Sequence, residues 1–454
     1  MDHTKQLGTA PILRLVIKFS LPTIFAMIVN AIYNIVDRIF VGKFVGEDAL
    51  GGLTVSFPLM MIGFAIGTLF AIGGATLISI KFGEQKLEEA NKVYGNTVML
   101  ILISSLCMTI LGEIFLAPLL GLSGATEANF TYAYSYMRII IIGLVFQLLS
   151  FTMAAIVRSE GKPFLSMISQ VLSAATNIVL DYIFIGPLNM GVEGAALATI
   201  LGQLVGFSIL FHYYFISKKS LLKLKWTYLK LRWAYARQIM VIGASSFVIN
   251  LGTGISASFT NGALAVYGGD AAITSYGAIN SLFTLVLMPV IGLLQGIGPI
   301  MGYNHGMRQR SRVWKTLWTG VALGCIFTFT LFILMEVFPE AFASLFLDPS
   351  SPTMAVCANG LRLQMLALPV LSFSVLSTAY FQSTAQGKKS FFISLIRQLL
   401  VIVGVLILPQ FLQLTGVWLS GPFSELLSLV IATFMLVADR RTHKEEEPLL
   451  QEAV

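Results

Sequence analysis

The stretch ATNIVLDYIFIG, residues 175–186, reads as part of a membrane helix except for Asn177 and Asp181. A carboxylate facing hydrocarbon costs about 3 kcal/mol or more. Asp181 must therefore be neutral, bound to a cation, or hydrogen-bonded inside a bundle. No basic residue lies within one helical turn of it. What surrounds this segment decides both the fold and the use of the carboxyl.

Hydrophobic residues make up 56% of the 454 positions, charged residues 11%, and the mean hydropathy is +0.83. Soluble domains carry about 25% charged residues, so the solvent here is mostly lipid. Runs of about 20 apolar residues recur, each long enough to cross a hydrocarbon core of roughly 30 Å as a helix. Twelve are expected, near 14–36, 52–80, 92–114, 132–157, 164–187, 193–216, 236–263, 275–303, 313–338, 361–384, 390–412 and 416–438. The alternating ten-residue segments of a membrane β-barrel are not seen. The fold class is all-α and polytopic.

The net charge of +7 is a matter of topology rather than a nucleic-acid footprint. With the N-terminus inside, 24 of the 29 Lys and Arg fall on one side of the membrane, seven of them between 218 and 237. Arg38, Lys43, Arg138 and Arg362 fall at the opposite ends, and Arg397 lies within a helix. By the positive-inside rule both termini are expected in the cytoplasm of a cell-membrane protein. The start of the chain lacks a small-residue cleavage site and reads as a retained first helix.

The basic stretch SKKSLLKLKWTYLKLRWAY (217–235) falls at the midpoint. It divides the chain into a lobe at 1–216, a linker at 217–235 and a lobe at 236–438, followed by a polar tail at 439–454 expected to lack regular structure. The linker reads either as a strap with aromatics at the headgroup level or as an anionic-lipid site. Each lobe would hold six helices. RSEGKPF (158–164) resembles STAQGKKSF (383–391) with Gly161 opposite Gly387, and EANKVYGNTV (89–98) resembles RSRVWKTLWT (310–319) with Val93 opposite Val313. An even helix count gives both lobes one orientation, with a pseudo-two-fold axis along the membrane normal and a binding site between the halves. Pro22, Pro58, Pro289, Pro299 and Pro369 are expected to interrupt or bend helices.

The polar residues inside the apolar runs are few. Asn30, Asn34 and Asp37 in the first helix share a face at i, i+4, i+7 spacing. Gln170, Asn177 and Asp181 form a stripe on the fifth, and Thr199 and Gln203 stand four apart on the sixth. Asp37 and Asp181 lie at similar depth near the outer ends of their helices, so they could share a cavity. Asp37 could instead pair with Arg38. Burial penalises an ionised carboxyl and a second one nearby penalises it further, so such a pair could load a proton outside and release it inside. The second lobe offers one intramembrane acid, Glu425, which reads as a partner of Arg397 or as a substrate contact.

Other chemistry is excluded or unsupported. The Gly-Lys in TAQGKKS lacks the first glycine of a phosphate-binding loop, so ATP hydrolysis is not expected. Cys107, Cys325 and Cys357 read as small core residues, and His3, His212, His305 and His443 are too scattered for a metal site. No cofactor, no enzymatic activity and no nucleic-acid partner are expected; membrane lipids and small molecules are.

On NIVDRIFVG (34–42), RSEGKP (158–163), NIVLDYIFIGPLNMGVEGAALAT (177–199) and PIMGYNHG (299–306), the chain resembles the multidrug and toxic compound extrusion (MATE) family, bacterial type. The resemblance covers essentially the whole membrane domain. It implies two six-helix lobes in a V, a monomeric antiporter, and efflux of organic cations against H⁺ or Na⁺, with antibiotic resistance as one consequence. It also implies a cation-coupling site at Asp37, Asn177 and Asp181 with Tyr136 and Thr199 beside it. Na⁺, if used, would sit at Asp37 and Asp181, and Asn34, Gln170 and Gln203 would line the substrate cavity. A proline often follows the fifth-helix Asp in that family, whereas Tyr182 stands here. Acids that some branches carry on helices 7 and 10 are missing, which favours coupling in the first lobe alone. A lipid-linked oligosaccharide flippase or a narrow-specificity metabolite exporter of the same fold is the alternative. A flippase should present a basic cavity, and Arg397 is the exceptional cation within a helix.

Overall fold

The computed structural model describes residues 4–217 and 219–451; His3 and the end of the tail, 452–454, lie outside them. Ten helices among the described residues are long and apolar enough to span a membrane. One of them, Trp233–Gly306, is two spans divided at Gly269. Thr353–Met365 and Leu368–Ser383 together make one further span bent by 45°. The count is therefore twelve. They are α1 (Ile12–Phe44), α2 (Glu47–Gly83), α3 (Leu87–Leu122), α4 (Glu127–Ser159), α5 (Pro163–Ile185) and α6 (Gly191–Phe211), then α7 (233–268) and α8 (270–306). The remainder are α9 (Arg310–Val337), α10 (the bent pair), α11 (Gly387–Leu412) and α12 (Leu414–Gln451).

The helices are apolar on their outer faces as well as within. On α1 the row Leu13, Ile17, Leu21 and Phe25 is exposed, while Leu15, Phe19, Thr23 and Ala26 are buried. An apolar exposed face is what lipid requires, and burial inside the bundle is left to the opposite face. The division of α7 from α8 needs glycine: Gly269 has φ 62° and ψ −160°, a region that side chains with a Cβ avoid.

Several details depart from the sequence reading. Pro22, Pro58, Pro289 and Pro299 lie inside continuous helices; of the five prolines, Pro369 alone stands at a break, in the first turn after the bend of α10. Neighbouring helices can re-satisfy the carbonyl that a proline frees. Cys357 is buried, but Cys107 is exposed on α3 and Cys325 is half-buried, so only one of the three is a core residue. The tail does not lack regular structure, since α12 continues to Gln451; Arg, Lys, Glu and Gln are good helix formers although they are polar, and so is Leu.

The repeat shows in the turns. The chain leaves α2, α4, α8 and α10 through a residue in the left-handed region, at Gln85, Gly161, Arg308 and Ala385. Each turn closes with a hydrogen bond across five residues: Lys86 to Lys81 O, Lys162 to Val157 O, Gln309 to Asn304 O and Gln386 to Phe381 O, at 2.8–3.2 Å. This is the Schellman arrangement for ending a helix. It puts Gly161 opposite Ala385, not Gly387, and Ala90 opposite Val313, so the register read from the sequence is displaced by two residues in one place and three in the other. Similar residue letters misled because three of the four turns hold their left-handed residue without glycine.

The lobes meet where α2 crosses α7 and α8, and where α1 crosses α8. A Cβ at Gly73 would strike Ile239 O, and at Gly243 Leu69 O; Gly83 and Gly306 stand in the same relation to Tyr303 and Ile80. Small residues let these backbones approach directly. Thr23 Oγ1 donates to Gly292 O at 2.7 Å, and Asn250 Nδ2 donates to Thr68 Oγ1 at 3.2 Å across the seam. All of these contacts lie in the halves of α1, α2, α7 and α8 nearer the basic loops. The far half of α1 instead exposes Asn34, Ile35 and Arg38.

The linker lies on the first lobe. Leu222 N–H and Ser220 Oγ donate to Glu160 Oε1 at 3.1 and 2.6 Å, and Tyr213 OH donates to Oε2 at 2.6 Å. Lys223 N–H and Arg232 N–H donate to the side chains of Asn91 and Asn96. Burial pushes the Glu160 carboxyl above the ordinary carboxylate range, and these hydrogen bonds offset only part of that push. Trp226 and Trp233 project outward, 89% and 70% exposed.

Candidate cation-coupling site

α1 packs along α5, and α5 along α6. The approach of α6 depends on two glycines: a Cβ at Gly202 would meet Ser173 O and Asn177, and one at Gly206 would meet Ser169 O and Ser173. With α6 so close, Asn177 Nδ2 donates to Thr199 Oγ1 at 3.3 Å. One turn further along α5, Asp181 is fully buried. Its carboxyl faces that of Asp37 on α1, and Asn177 lies alongside. Tyr136 of α4, 3% exposed, is within electrostatic reach of both carboxyls.

Arg38 does not pair with Asp37 among the described residues; its guanidinium lies over the Phe57 ring, 5.8 Å from the centroid. Asp37 is half-buried, and the exposed Asn34 and Arg38 flank it along α1. Val41, Ile185 and Ala195, each one turn from Asp37, Asp181 and Thr199 respectively, belong to one buried apolar cluster with Tyr136 and Ile140.

The site is rich in acceptors and poor in donors. Both oxygens of Asp181, Oδ1 of Asp37 and Oδ1 of Asn177 are buried, and no donor among the described residues meets hydrogen-bond geometry at any of them. Buried polar atoms in folded proteins almost always have partners. Four orphaned oxygens, three of them on carboxyls, form a donor set suited to a proton or a small hard cation. No group of three His, Cys, Asp or Glu that could hold a metal ion exists among the described residues.

The other sequence candidates lie apart or beside this cluster. Gln170 donates to Ser166 O and Oγ at 3.2 and 3.1 Å, and Ser166 Oγ also accepts from Arg158. It stands about 16 Å along α5 from Asp181 at 1.5 Å per residue and does not join the carboxyls. Asn34 Nδ2 donates to Asn30 O at 2.7 Å, and Gln203 is half-buried one turn from Thr199. Tyr33, which the sequence reading passed over, lies within reach of both Asp37 and Asp181. Its position four residues before Asp37, on the same face, was the available signal.

In the second lobe Glu425 of α12 forms an ion pair with Arg397 of α11, and Ser424 Oγ donates to Arg397 O at 2.7 Å. Gln398 joins α11 to α7, accepting from Ser256 Oγ at 3.3 Å and donating to Ile249 O at 3.4 Å. Glu425 is thus held by a cation through one oxygen, while its Oε2 and Oε2 of Glu336, at the end of α9, meet no donor among the described residues.

The MatE family model matches residues 22–183 and 242–407, one segment in each lobe. Multidrug export protein MepA of Staphylococcus saprophyticus is 26% identical over 439 residues, covering 95% of either chain. The protein of the same name from Staphylococcus aureus is 25% identical, covering 95% of this chain and 96% of its own. Among solved structures, a MATE protein in complex with MaL6 superposes with a TM-score of 0.92 at 22% identity, covering 97% of this chain and 99% of that one. An outward-facing multidrug resistance MATE family transporter of the MOP superfamily gives 0.91 at 22% identity, covering 97% and 98%.

Proposed function

The chain belongs to the MatE family, and on that premise we propose that it exports organic cations from the cell, driven by H⁺ or Na⁺ entering through alternating access of its two lobes. The observation that carries the reading is the pairing of half-buried Asp37 with buried Asp181, three of whose carboxyl oxygens are buried without a donor among the described residues. The names of the relatives, multidrug export proteins, supply the substrate class. The membrane is the cell membrane, with both termini and the linker on the cytoplasmic side, as the crowding of Lys and Arg on that face supports.

Contacts between the lobes gather near the basic loops, and the far half of α1 is exposed. This arrangement corresponds to a cavity open to the outside. There the ionised pair attracts a cationic drug. Protons or Na⁺ entering from outside neutralise Asp37 and Asp181, the attraction ends and the drug leaves. Asn177, held by Thr199, sets its side-chain amide beside Asp181, where its unpartnered oxygen would help hold Na⁺. Exchange of one H⁺ for one monovalent drug moves no net charge, so only the pH gradient drives it, at about 1.4 kcal/mol per pH unit. A second entering cation would add about 2.3 kcal/mol per 100 mV of membrane potential.

The test is ethidium efflux from cells lacking their own pumps, comparing the wild type with Asp181→Asn at equal expression. Efflux present in the wild type and absent in the variant supports the reading, and its dependence on external Na⁺ then identifies the ion. Undiminished efflux in the variant would sink Asp181 as the coupling group.

A further inference from the structure

On the basic face, away from the carboxyl pair, a cleft of about 770 Å³ opens between the start of α1, the first turns of α9 and the Arg440 turn of α12. Arg310, Lys315 and Arg440 line it together with Trp314, Trp318 and Leu13, and no acid is among the lining residues. Lys315 and Arg440 are exposed and form no ion pair among the described residues. The indoles are set as walls: Trp314 packs on Tyr380 with centroids 5.0 Å apart, and Trp318 on Phe373 at 6.0 Å.

We propose that this cleft holds the phosphate headgroup of one anionic phospholipid, with an acyl chain running down the exposed face of α1. Two exposed cations, Lys315 and Arg440, opening on one cleft suit a phosphate, because Lys and Arg side chains bind its oxygens directly. Free phosphate has the same chemistry, but two features favour a lipid. The cleft is continuous with an apolar strip, Leu13, Ile17 and Leu21, that is 48–64% exposed. Trp318, 48% exposed, stands about 12 Å along α9 from Arg310, so the cleft wall continues past the cations into apolar surface where an acyl chain, not a free ion, would lie. Basic pockets between spanning helices on the positive side are suited to such headgroups. The cleft also joins α1 of one lobe to α9 and α12 of the other, so a bound lipid braces the seam on the face where the lobes are closed.

The test uses the full chain in bilayers and reads tryptophan quenching by brominated phosphatidylglycerol against brominated phosphatidylcholine at equal mole fraction. The expected result is an excess of quenching by phosphatidylglycerol that shrinks in Trp318→Phe. In Lys315→Gln/Arg440→Gln its apparent affinity falls roughly fivefold for each cation lost. Thermal unfolding in phosphatidylcholine checks that the double variant is folded; should it not be, Lys315→Gln alone is expected to show the single fivefold loss. Equal quenching by the two lipids, or an excess untouched by the substitutions, would overturn the proposal. Loss of the excess on adding soluble glycerol phosphate at constant ionic strength would assign the cleft to a free phosphate instead, and overturn the lipid.

Discussion

The two lobes share a helix plan and end four of their helices with the same turn, yet they treat buried charge in opposite ways. The first lobe sets two carboxyls against each other and leaves three of their oxygens without donors. The second lobe sets its carboxyl against a guanidinium. A paired charge is a fixed structural element, because breaking it strands an ion in a poor solvent. Two unpaired carboxyls are the reverse: the site is incomplete until something positive arrives. On the proposed function, one plan thus yields a switch in one half and a strut in the other.

This contrast can be broken by experiment. The largest effect is expected from Asp181→Asn, which should abolish drug efflux while leaving the thermal unfolding midpoint unchanged or raised, since it removes a buried group that ionises without a partner. Loss of folding together with efflux would count against a switch. Next comes Glu425→Gln, which strands Arg397 and should cost about 3–5 kcal/mol of stability, largely recovered when Arg397 is also replaced by an apolar residue. Detergent unfolding curves of the single and double variants check this, and a fully stable single variant would remove the strut. A smaller loss, about 1–3 kcal/mol by the overpacking of a tight contact, is expected for Gly243→Ala, whose new Cβ meets the Leu69 carbonyl across the seam. Asn250→Ala removes the hydrogen bond to Thr68 and should cost about 0.5–1.5 kcal/mol. In the same unfolding measurement that cost should shrink when Thr68 is already Ala, as a bond between the lobes requires, leaving the part due to the second bond from Asn250 Nδ2 to Ser246 O at 2.8 Å.

The carboxyl that pins the linker allows a fifth, weaker test. Burial raises the Glu160 carboxyl above its unfolded value, so its protonated form is the one that folding favours. Its contribution to stability is therefore fully present at low pH and lost as pH rises through its folded value. Unfolding curves across the acid range should show this slope in the wild type and a flatter one in Glu160→Gln.

Some of this was legible in single letters. A carboxyl at 181 with no cation within a turn cannot face lipid, and that constraint needs no coordinates. Asn177, four residues before it, follows from helical spacing. Other features were not legible. Asp37 had an adjacent arginine, and nothing in the sequence says that Arg38 lies over Phe57 while Asp37 turns toward α5. Gln170 shares the α5 stripe with Asp181 but is drawn into a cluster with Ser166 and Arg158. The repeat register was misread because the left-handed turn residue is Gly in one repeat and Ala in the other.

By itself the sequence determined what the solvent is, how many helices cross it and which ends of them are basic, because hydrophobic length and charge are properties of a segment taken alone. It also determined that Asp181 needs a partner. Which partner, a second carboxyl rather than a cation, was decided only by the tertiary structure. Contacts between helices far apart in the chain depend on where small residues such as Gly202 and Gly243 let backbones meet, and such close packing is a property of pairs of helices that neither one carries.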